Sequence, residues 1–374
     1  MTLVLESVGG RRARRLFRSL PKLLHRGHPA FIPPIRASVS AVLDRRRNPF
    51  WRHAEGAEWV VRRAGRPVGR IGACHDRDLE ARVPGCGVVG FFDCADDAEA
   101  ASSLFAAAEE WLLARGLRKA RGPLNYSIHD TAGLLVEGFD TPPVVDTTWN
   151  PAYQVAMWER SGYAGVQDLL GVAGRLDDEG FGRTRAFAAL ARRKNVTVRP
   201  IDPRRFLDDV ERIRRVYNAA WDSNWGHVPV GPEEFAFKAK DLKAILDPDL
   251  VRVAELEGEA VGFLLSLPDL NVVARRCGGR LFPLGWLHFL RARKTVRRAR
   301  CVALGVVPDR RMRGLEALLL ADSFSRIRER YEWCEASWVL EHNAALLNGL
   351  GHYGLHPYKR WRLYEKDLAE GGRG

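Results

Sequence analysis

Two stretches of the chain show the same succession of apolar periods. In the first, apolar residues gather over residues 58–61, 67–74 and 88–93, and the polar turn Arg63-Ala64-Gly65-Arg66 joins the first two. Short apolar runs bounded by glycine-bearing turns predict strands, and this pair predicts a β-hairpin. Residues 97–115 then place Leu104, Ala108, Trp111 and Leu112 at helical spacing in an alanine-rich segment that ends at Gly116. A strand over residues 118–121 and a helix over 150–162 follow. The second stretch opens with a strand over 196–201. Asp202 then serves as cap and Pro203 as first residue of a helix running to 221. A further helix carries Glu233, Phe235, Phe237 and Leu242, and a hairpin over 250–267 turns near Glu257-Gly258. Residues 301–307 form a buried strand that stops at Pro308. From Leu315 onward Leu318, Leu319, Phe324 and Ile327 recur at helical spacing. A strand over 335–339, a helix starting at Asn343 and a strand over 359–364 close the chain. The same order of elements appearing twice predicts one α+β (mixed α/β) fold used in tandem. The expected division is a basic lead-in over 1–50, a first domain over 51–170, a bridge over 171–195 with helix over 181–191, and a second domain over 196–370. The second domain carries an insertion over 270–299.

Length and composition agree with two cores. The chain has 374 residues and is 46% hydrophobic. Its 59 Lys+Arg against 46 Asp+Glu give a net charge of +13, which favours anionic partners such as nucleotide phosphates or acidic lipid surfaces. The six cysteines are scattered with no C-x-x-C pair, so neither a metal site nor a disulfide scaffold is indicated. No run of 18 apolar residues and no cleavable leader pattern occurs, and a cytoplasmic protein is expected.

Residues 300–316, RCVALGVVPDRRMRGLE, are the stretch around which the second domain is organised. A strand feeds a basic turn, and the turn feeds a helix whose first amides have no partners within it. A phosphate fits at such a position. Arg310, Arg311 and Arg313 add charge, and Gly314 lets a ligand approach the backbone. The alternative is an ordinary β-turn-α connection with solvated arginines.

The run Arg310-Arg311-Met312-Arg313-Gly314-Leu315 resembles the pyrophosphate loop of the GCN5-related N-acetyltransferase (GNAT) superfamily, Gln/Arg-x-x-Gly-x-Gly/Ala, with Glu316 standing where a small residue is usual. The chain as a whole is similar to a bacterial family that resembles bacterial ceramide synthases. Its marks here are Pro33-Pro34, Asn48-Pro49-Phe50, the Arg-Gly-Pro-x-Asn start at 121–125, the Gly133-to-Pro143 segment, and the Ser-Trp-x-Leu-Glu-x-Asn run at 337–343. The resemblance implies two tandem GNAT-like domains that use acyl-CoA or acetyl-CoA as co-substrate. The coenzyme would be held by Val306, Val307, Arg310, Arg311, Arg313, Gly314 and Leu315. In the first domain the corresponding turn, FFDCADDAEA, is acidic and lacks glycine. It would repel a pyrophosphate, which marks that domain as a degenerate copy recruited for substrate binding or scaffolding.

Direct acyl transfer to an amine needs positioning, a base and oxyanion stabilisation, but no covalent nucleophile. The chain carries neither G-x-S-x-G nor a convincing cysteine triad. Glu335 and Glu341 are the candidate bases, since partial burial raises a carboxyl's pKa toward the useful range. Asn343 stands beside them, with helix capping as its alternative role. No tyrosine falls at the superfamily's usual position for a general acid; Tyr353 and Tyr358 come later. Trp221, Asn224 and Trp225 in WDSNWGH are expected to shape the acceptor site, the alternative being a packed tryptophan corner. Trp338 joins them, and Asn125, Tyr126 and His129 are expected to wall the substrate. His129 reads equally as a satisfied loop histidine.

Two segments bear on the acceptor. Residues 11–26 place Leu16, Phe17, Leu20, Leu23 and Leu24 among arginines and lysine, interrupted by Pro21. They read either as an amphipathic element lying on an anionic membrane or as a helix covering the protein's own surface. Residues 281–300 pass from an apolar, tryptophan-bearing half to a cationic half, which suits a membrane interface or a helix packed between domains. The expected activity is therefore transfer of an acyl group from CoA to an amine, a sphingoid or other lipid amine or a small soluble amine. A non-catalytic acyl-CoA or lipid binder is the alternative. Nucleic acid is not an expected partner, because no recognition motif accompanies the charge.

Overall fold

In the computed structural model, residues 2–176, 189, 195–243, 246–280, 295–308 and 314–368 are described. The chain forms two compact units. One comprises Met1–Leu169, Ala274–Gly285 and Lys359–Gly374; the other comprises Leu170–Val273 and Trp286–Tyr358. The expected helix over 181–191, the insertion segment 281–294 and the turn 309–313 lie outside the described residues.

The first unit runs β1 (Leu3–Ser7), α1 (Arg11–His25), α2 (Arg36–Val42), β2 (Ala54–Arg63), β3 (Arg66–Asp76), α3 (Arg77–Arg82), β4 (Cys86–Cys94), α4 (Ala98–Leu113), β5 (Lys119–Gly122), β6 (Leu134–Glu137) and α5 (Tyr153–Arg160). β7 (Ala164–Gly174) carries the chain onward. The second unit contains β8 (Thr197–Pro200), α6 (Phe206–Trp221), α7 (Pro232–Lys243), β9 (Val251–Leu256), β10 (Glu259–Pro268), α8 (Asn271–Cys277), β11 (Arg298–Val306), α9 (Leu315–Arg330), β12 (Trp333–Leu340) and α10 (Ala344–Gly351), before β13 (His356–Asp367).

Each unit has the same connectivity. β1 to β4 pair antiparallel in succession, and β5 joins β4 in parallel. β8 to β11 likewise pair antiparallel, and β12 joins β11 in parallel. Two helices connect the first two strands of each set, and one helix crosses over to the parallel strand. β5 is flanked on its other side by β13, the last strand of the chain, and β6 also pairs with β13. Sequence order alone puts that closing strand with the second unit, but Lys359–Gly374 groups with the first.

Local chemistry accounts for these elements. The hairpin turns carry Ala64 and Gly65 (φ 49° and 77°) and Glu257 and Gly258 (φ 54° and 85°). Two consecutive left-handed residues match the twist of the strands they join. α4 buries Leu104, Phe105, Ala108 and Leu112 against Val61 and Ile71 of the sheet, in a core closed by Phe92, Trp158 and Tyr163. In the second unit Phe206, Val210, Ile213 and Val216 of α6 pack with Val251, Val253 and Phe263.

Several features differ from the sequence expectation. β1, β6, α2 and α3 are additional short elements. β7, a largely buried strand of 11 residues, stands where no strand is expected from the sequence and runs into the start of the expected bridge over 171–195. Pro21 does not interrupt α1; it lies inside the helix and is buried, so packing offsets the lost helical hydrogen bond. α1 also buries Phe17, Leu20 and His25. Much of its apolar side therefore packs on the protein, while Leu23 stays exposed. The contact is locked by charge. Arg70 donates to Asp93 Oδ2 and to the Phe17 carbonyl, each at 2.8 Å, and His25 Nε2 lies 3.2 Å from Asp93 Oδ1. Burial alone would raise the Asp93 carboxyl, but Arg70 and then His25 outweigh it and hold it below the ordinary range.

Removing one member of such a buried pair strands the other. Arg70→Met is expected to lower unfolding free energy by about 3–5 kcal/mol in chemical denaturation, whereas Arg70→Met with Asp93→Leu should recover most of it. Equal losses in the single and double variants would show that the pair does not lock α1.

Candidate active site

The two units treat the same structural corner in opposite ways. Where two parallel strands part, the facing backbone groups lose each other as partners, and the next helix opens with unpaired amides. In the first unit the β4–β5 ladder covers Cys86↔Lys119 to Val88↔Arg121 and then stops. The chain closes the gap itself. Leu124 N donates to Val89 O at 3.0 Å, and Asn125 Oδ1 accepts from Phe91 N at 2.8 Å. Glycine at position 90 makes room, since a Cβ there would overlap the Leu124 carbonyl. The helix is closed as well. Asp97 caps α4 by accepting from Ala100 N at 3.0 Å and binds Arg63 Nη2 at 2.8 Å. The Arg63 bond, with the helix amides, outweighs burial and holds Asp97 below its ordinary pKa.

In the second unit the β11–β12 ladder runs from Arg298↔Trp333 to Cys301↔Ala336, yet β11 continues to Val306 and β12 to Leu340. Among the described residues, no backbone hydrogen bond joins the two strands beyond that point. Val302, Ala303 and Leu304 are half-exposed there. The fork is held at its base by the buried Arg300, whose guanidinium donates to Ser337 Oγ at 3.0 Å and to the Ser337 carbonyl at 2.9 Å. The cap of α9 is Gly314 in the left-handed region (φ 92°), and among the described residues no side-chain hydrogen bond caps the helix. Gly305 has a positioning role: a Cβ there would meet Phe263 at 2.7 Å and Ala220 at 3.2 Å, so glycine lets the end of α6 close on β11. That places the loop after Trp221 beside the fork.

The expected site residues divide accordingly. Gly314 stands at the start of α9, while Val306 and Leu315 are buried. The Val307 amide is committed to Val261 O at 3.0 Å. Arg310, Arg311 and Arg313 lie outside the described residues. Trp221 packs on Tyr217 with ring centroids 4.2 Å apart, Asn224 N donates to the Trp221 carbonyl, and Trp225 is half-buried. The loop is thus a packed corner that still shows two indole edges. Trp338 lies under Arg300, whose guanidinium carbon is 5.0 Å from the ring centroid.

Glu335 is fully buried and Glu341 is exposed, so neither is the partly buried carboxyl expected. Asn343 is exposed and caps α10 by accepting from Leu346 N at 3.2 Å. Glu335 meets a group the sequence left unassigned. Its Oε2 accepts from the hydroxyl of Tyr358, and its Oε1 is buried with no partner. Tyr358 is half-buried and edge-on to Trp333 at 6.0 Å. Burial, then the Glu335 charge, pushes the phenol's pKa far up, so it stays protonated. Tyr353, the other tyrosine, is buried against Phe324. The proximity of Tyr358 to Glu335 links two strands 23 positions apart, a relation that local periodicity does not show.

In the first unit Asn125 is committed to closing the β4–β5 gap and also bonds Thr131. Tyr126 is fully buried, its hydroxyl donating to Glu58 Oε1 at 2.9 Å and its ring edge-on to Trp51 at 5.2 Å. His129 is half-buried in the following loop, its amide bonded to Ser127 Oγ. His53, Asp76 and Asp78 bring metal-ligating types together, but Asp76 is engaged in capping α3 and in a 2.9 Å contact with His53.

One topology in two copies, with the strand fork closed in the first and open among the described residues of the second, is that of a tandem GNAT fold. Among solved structures, a tandem GNAT protein from the clavulanic acid biosynthesis pathway covers 99% of this chain and is itself covered completely, with a TM-score of 0.59 at 14% identity. No family model matches the chain. Among curated proteins, Protein YghO of Escherichia coli is 34% identical over 362 residues, which are 95% of this chain and 93% of that protein. The bacterial ceramide synthase of Caulobacter vibrioides is 35% identical over 370 residues, 94% of each. The chain belongs to the family that these two proteins represent.

Loss of the Tyr358 hydroxyl would leave a buried carboxylate without a donor. Tyr358→Phe is expected to cost about 1–3 kcal/mol in denaturant unfolding, and adding Glu335→Gln to recover part of that. A Tyr358→Phe midpoint equal to the parent's would remove the contact from consideration.

Proposed function

We propose that the chain is an N-acyltransferase that moves an acyl group from a CoA thioester directly to an amine. The observation that carries this reading is the contrast between the corners: one unit fills its strand fork and caps its helix, and in the other no described residue does either. The open amides at the start of α9, with Arg310, Arg311 and Arg313 supplying charge on the strength of the family resemblance, suit a pyrophosphate. The unpaired edge of Val302–Leu304 suits an extended, amide-bearing arm that completes the ladder, as an added strand does.

The amine must lose a proton as its nitrogen attacks the thioester carbonyl. In this reading Tyr358 accepts that proton while passing its own to Glu335, so the buried carboxylate is neutralised as the new C–N bond forms. The C–S bond then breaks and the thiolate leaves. The indole edges of Trp221 and Trp225 border the acceptor. The similarity to a ceramide synthase directs the acceptor reading toward a long-chain lipid amine, with a ceramide-like amide as product. Such an acceptor places the enzyme at an anionic membrane face on the cytoplasmic side. Among the described residues no helix is long and apolar enough to cross a membrane.

The direct experiment incubates the protein with acyl-CoAs of graded length and a panel of amines, sphingoid bases included, and follows free thiol and amide by mass spectrometry. Thiol release matched by amide is expected. Uptake of acyl-CoA with neither product would make the chain a binder instead of an enzyme.

Two variants separate the parts. Gly314→Asp installs at α9 the capping carboxylate that Asp97 gives α4. It is expected to weaken CoA binding about tenfold or more in calorimetry while the fold persists. Glu335→Gln is expected to lower turnover by about 10²-fold or more with CoA binding retained. Unchanged CoA affinity in the first variant, or unchanged turnover in the second, would remove the corresponding assignment.

A further inference from the structure

α1 carries Arg11, Arg15, Arg18 and Lys22 at spacings of four, three and four residues, which places them in one stripe along the helix. The stripe does not lie over acids. Arg18 Nη1 donates to Ser40 Oγ of α2 at 3.0 Å, and Ser40 Oγ donates on to the Arg36 carbonyl at 2.6 Å. Lys22 Nζ donates to the Gly278 carbonyl at 3.2 Å, and Arg36 N donates to the Gly279 carbonyl at 3.0 Å. These bonds fix α1, the start of α2 and residues 278–280 around one point, all within the first unit.

The side chains that converge there are guanidiniums: Arg15 and Arg18 from α1, Arg36 from the first position of α2, and Arg280. Among the described residues, none of the four makes an ion pair with a carboxylate. Arg36 feels the crowding directly. Its pKa is lowered by burial first, then by Arg280, Arg15 and Arg18 in turn. Elsewhere in the unit, inward-facing arginines are matched, as Arg70 is by Asp93 and Arg63 by Asp97. Like charges gathered from segments more than 200 positions apart, with no described carboxylate paired to them, are stabilised when an outside anion sits among them.

We propose that Arg15, Arg18, Arg36 and Arg280 form a binding site for a phosphate-bearing anion, with Arg11 and Lys22 extending it along α1. Guanidinium forks suit the paired oxygens of a phosphate better than ammonium groups do. The ligand is either a phospholipid headgroup at a bilayer surface or a soluble phosphate ester, the chemistry at the site being the same. The site deepens the membrane part of the function above, but it stands without the acyl-transfer chemistry, whose failure would leave both readouts below unchanged.

The test uses the full chain and two double variants of equal charge change: Arg15→Gln with Arg36→Gln in the site, and Arg66→Gln with Arg204→Gln at exposed positions outside it. Co-flotation with vesicles of phosphatidylcholine containing phosphatidylglycerol, against phosphatidylcholine alone, reads the lipid arm. The shift of the melting midpoint in inorganic phosphate reads the soluble arm. Parent protein is expected to partition onto the anionic vesicles, the site variant to lose about thirtyfold, and the control variant much less. A phosphate-dependent rise in midpoint confined to proteins with both arginines, without vesicle binding, assigns the site to a soluble phosphate ester. In low-salt buffer without phosphate the site variant should melt at or above the parent temperature, because repulsion has been relieved. A lower midpoint would make the arginines structural and overturn the proposal. So would binding in neither arm, equal loss in both double variants, or an arginine-dependent preference for single-stranded RNA over the vesicles.

Discussion

The fold depends on what happens where two parallel strands stop pairing. Their backbone groups still require partners, and a sheet buried on both faces has no water to supply them. The protein meets this constraint twice and answers it in two ways. After Val88↔Arg121 the first unit brings Leu124 and the Asn125 side chain into the gap and makes a continuous surface of it. After Cys301↔Ala336 the second unit brings Arg300, which satisfies Ser337 at the base of the fork, and no described residue pairs the edge of β11 beyond it. The same contrast holds at the helices, where Asp97 closes one amino terminus and, among the described residues, no side chain caps the one that opens at Gly314. An acidic turn in the first unit is thus more than an obstacle to phosphate. Its carboxylates are internal ligands, Asp97 to a helix and Asp93 to Arg70 and His25.

This constraint also organises the chemistry proposed for the second unit. Arg300 and Glu335 are register partners across the fork's last paired segment. The arginine turns forward to Ser337, and the glutamate is met by Tyr358 from the strand after α10. A fully buried carboxylate with one unpartnered oxygen is costly unless it does something in return. In the proposed reaction Tyr358, whose hydroxyl donates to this carboxylate, is the route by which a proton reaches it.

Much of this arrangement was legible along the chain. Hairpins announced by Ala64-Gly65 and Glu257-Gly258, caps at Asp202 and Asn343, and the strand before and the helix after residues 309–313 all follow from chemistry between neighbours. So did the tandem order, because each repeat is a string of local signals. What the chain did not disclose was long-range. Nothing near Tyr358 in sequence points to Glu335, and nothing near Asn125 points to the Phe91 amide. Pro21 looked like a break because propensity is a local quantity, while its burial beside Phe17 and Leu20 is a tertiary one. Both β13 pairing with β5 and the buried bond from Arg70 to the Phe17 carbonyl unite residues that no window of the sequence contains.

The arginines follow the same logic. A net charge of +13 describes the chain, but it does not say where the excess stands. In the described residues many cations are matched: Arg70 with Asp93, Arg199 with Asp209 and Glu255, Arg252 with Asp322, and Arg360 and Arg362 with Asp168. Backbone hydrogen bonds hold Arg36 against Gly279, and side-chain bonds hold Arg18 and Lys22 to the same region. The docking of α1, whose buried face includes Phe17, Leu20 and His25, thus sets where these residues leave the backbone. In the proposed site that placement brings like charges near one another, and an anion among them would relieve the repulsion.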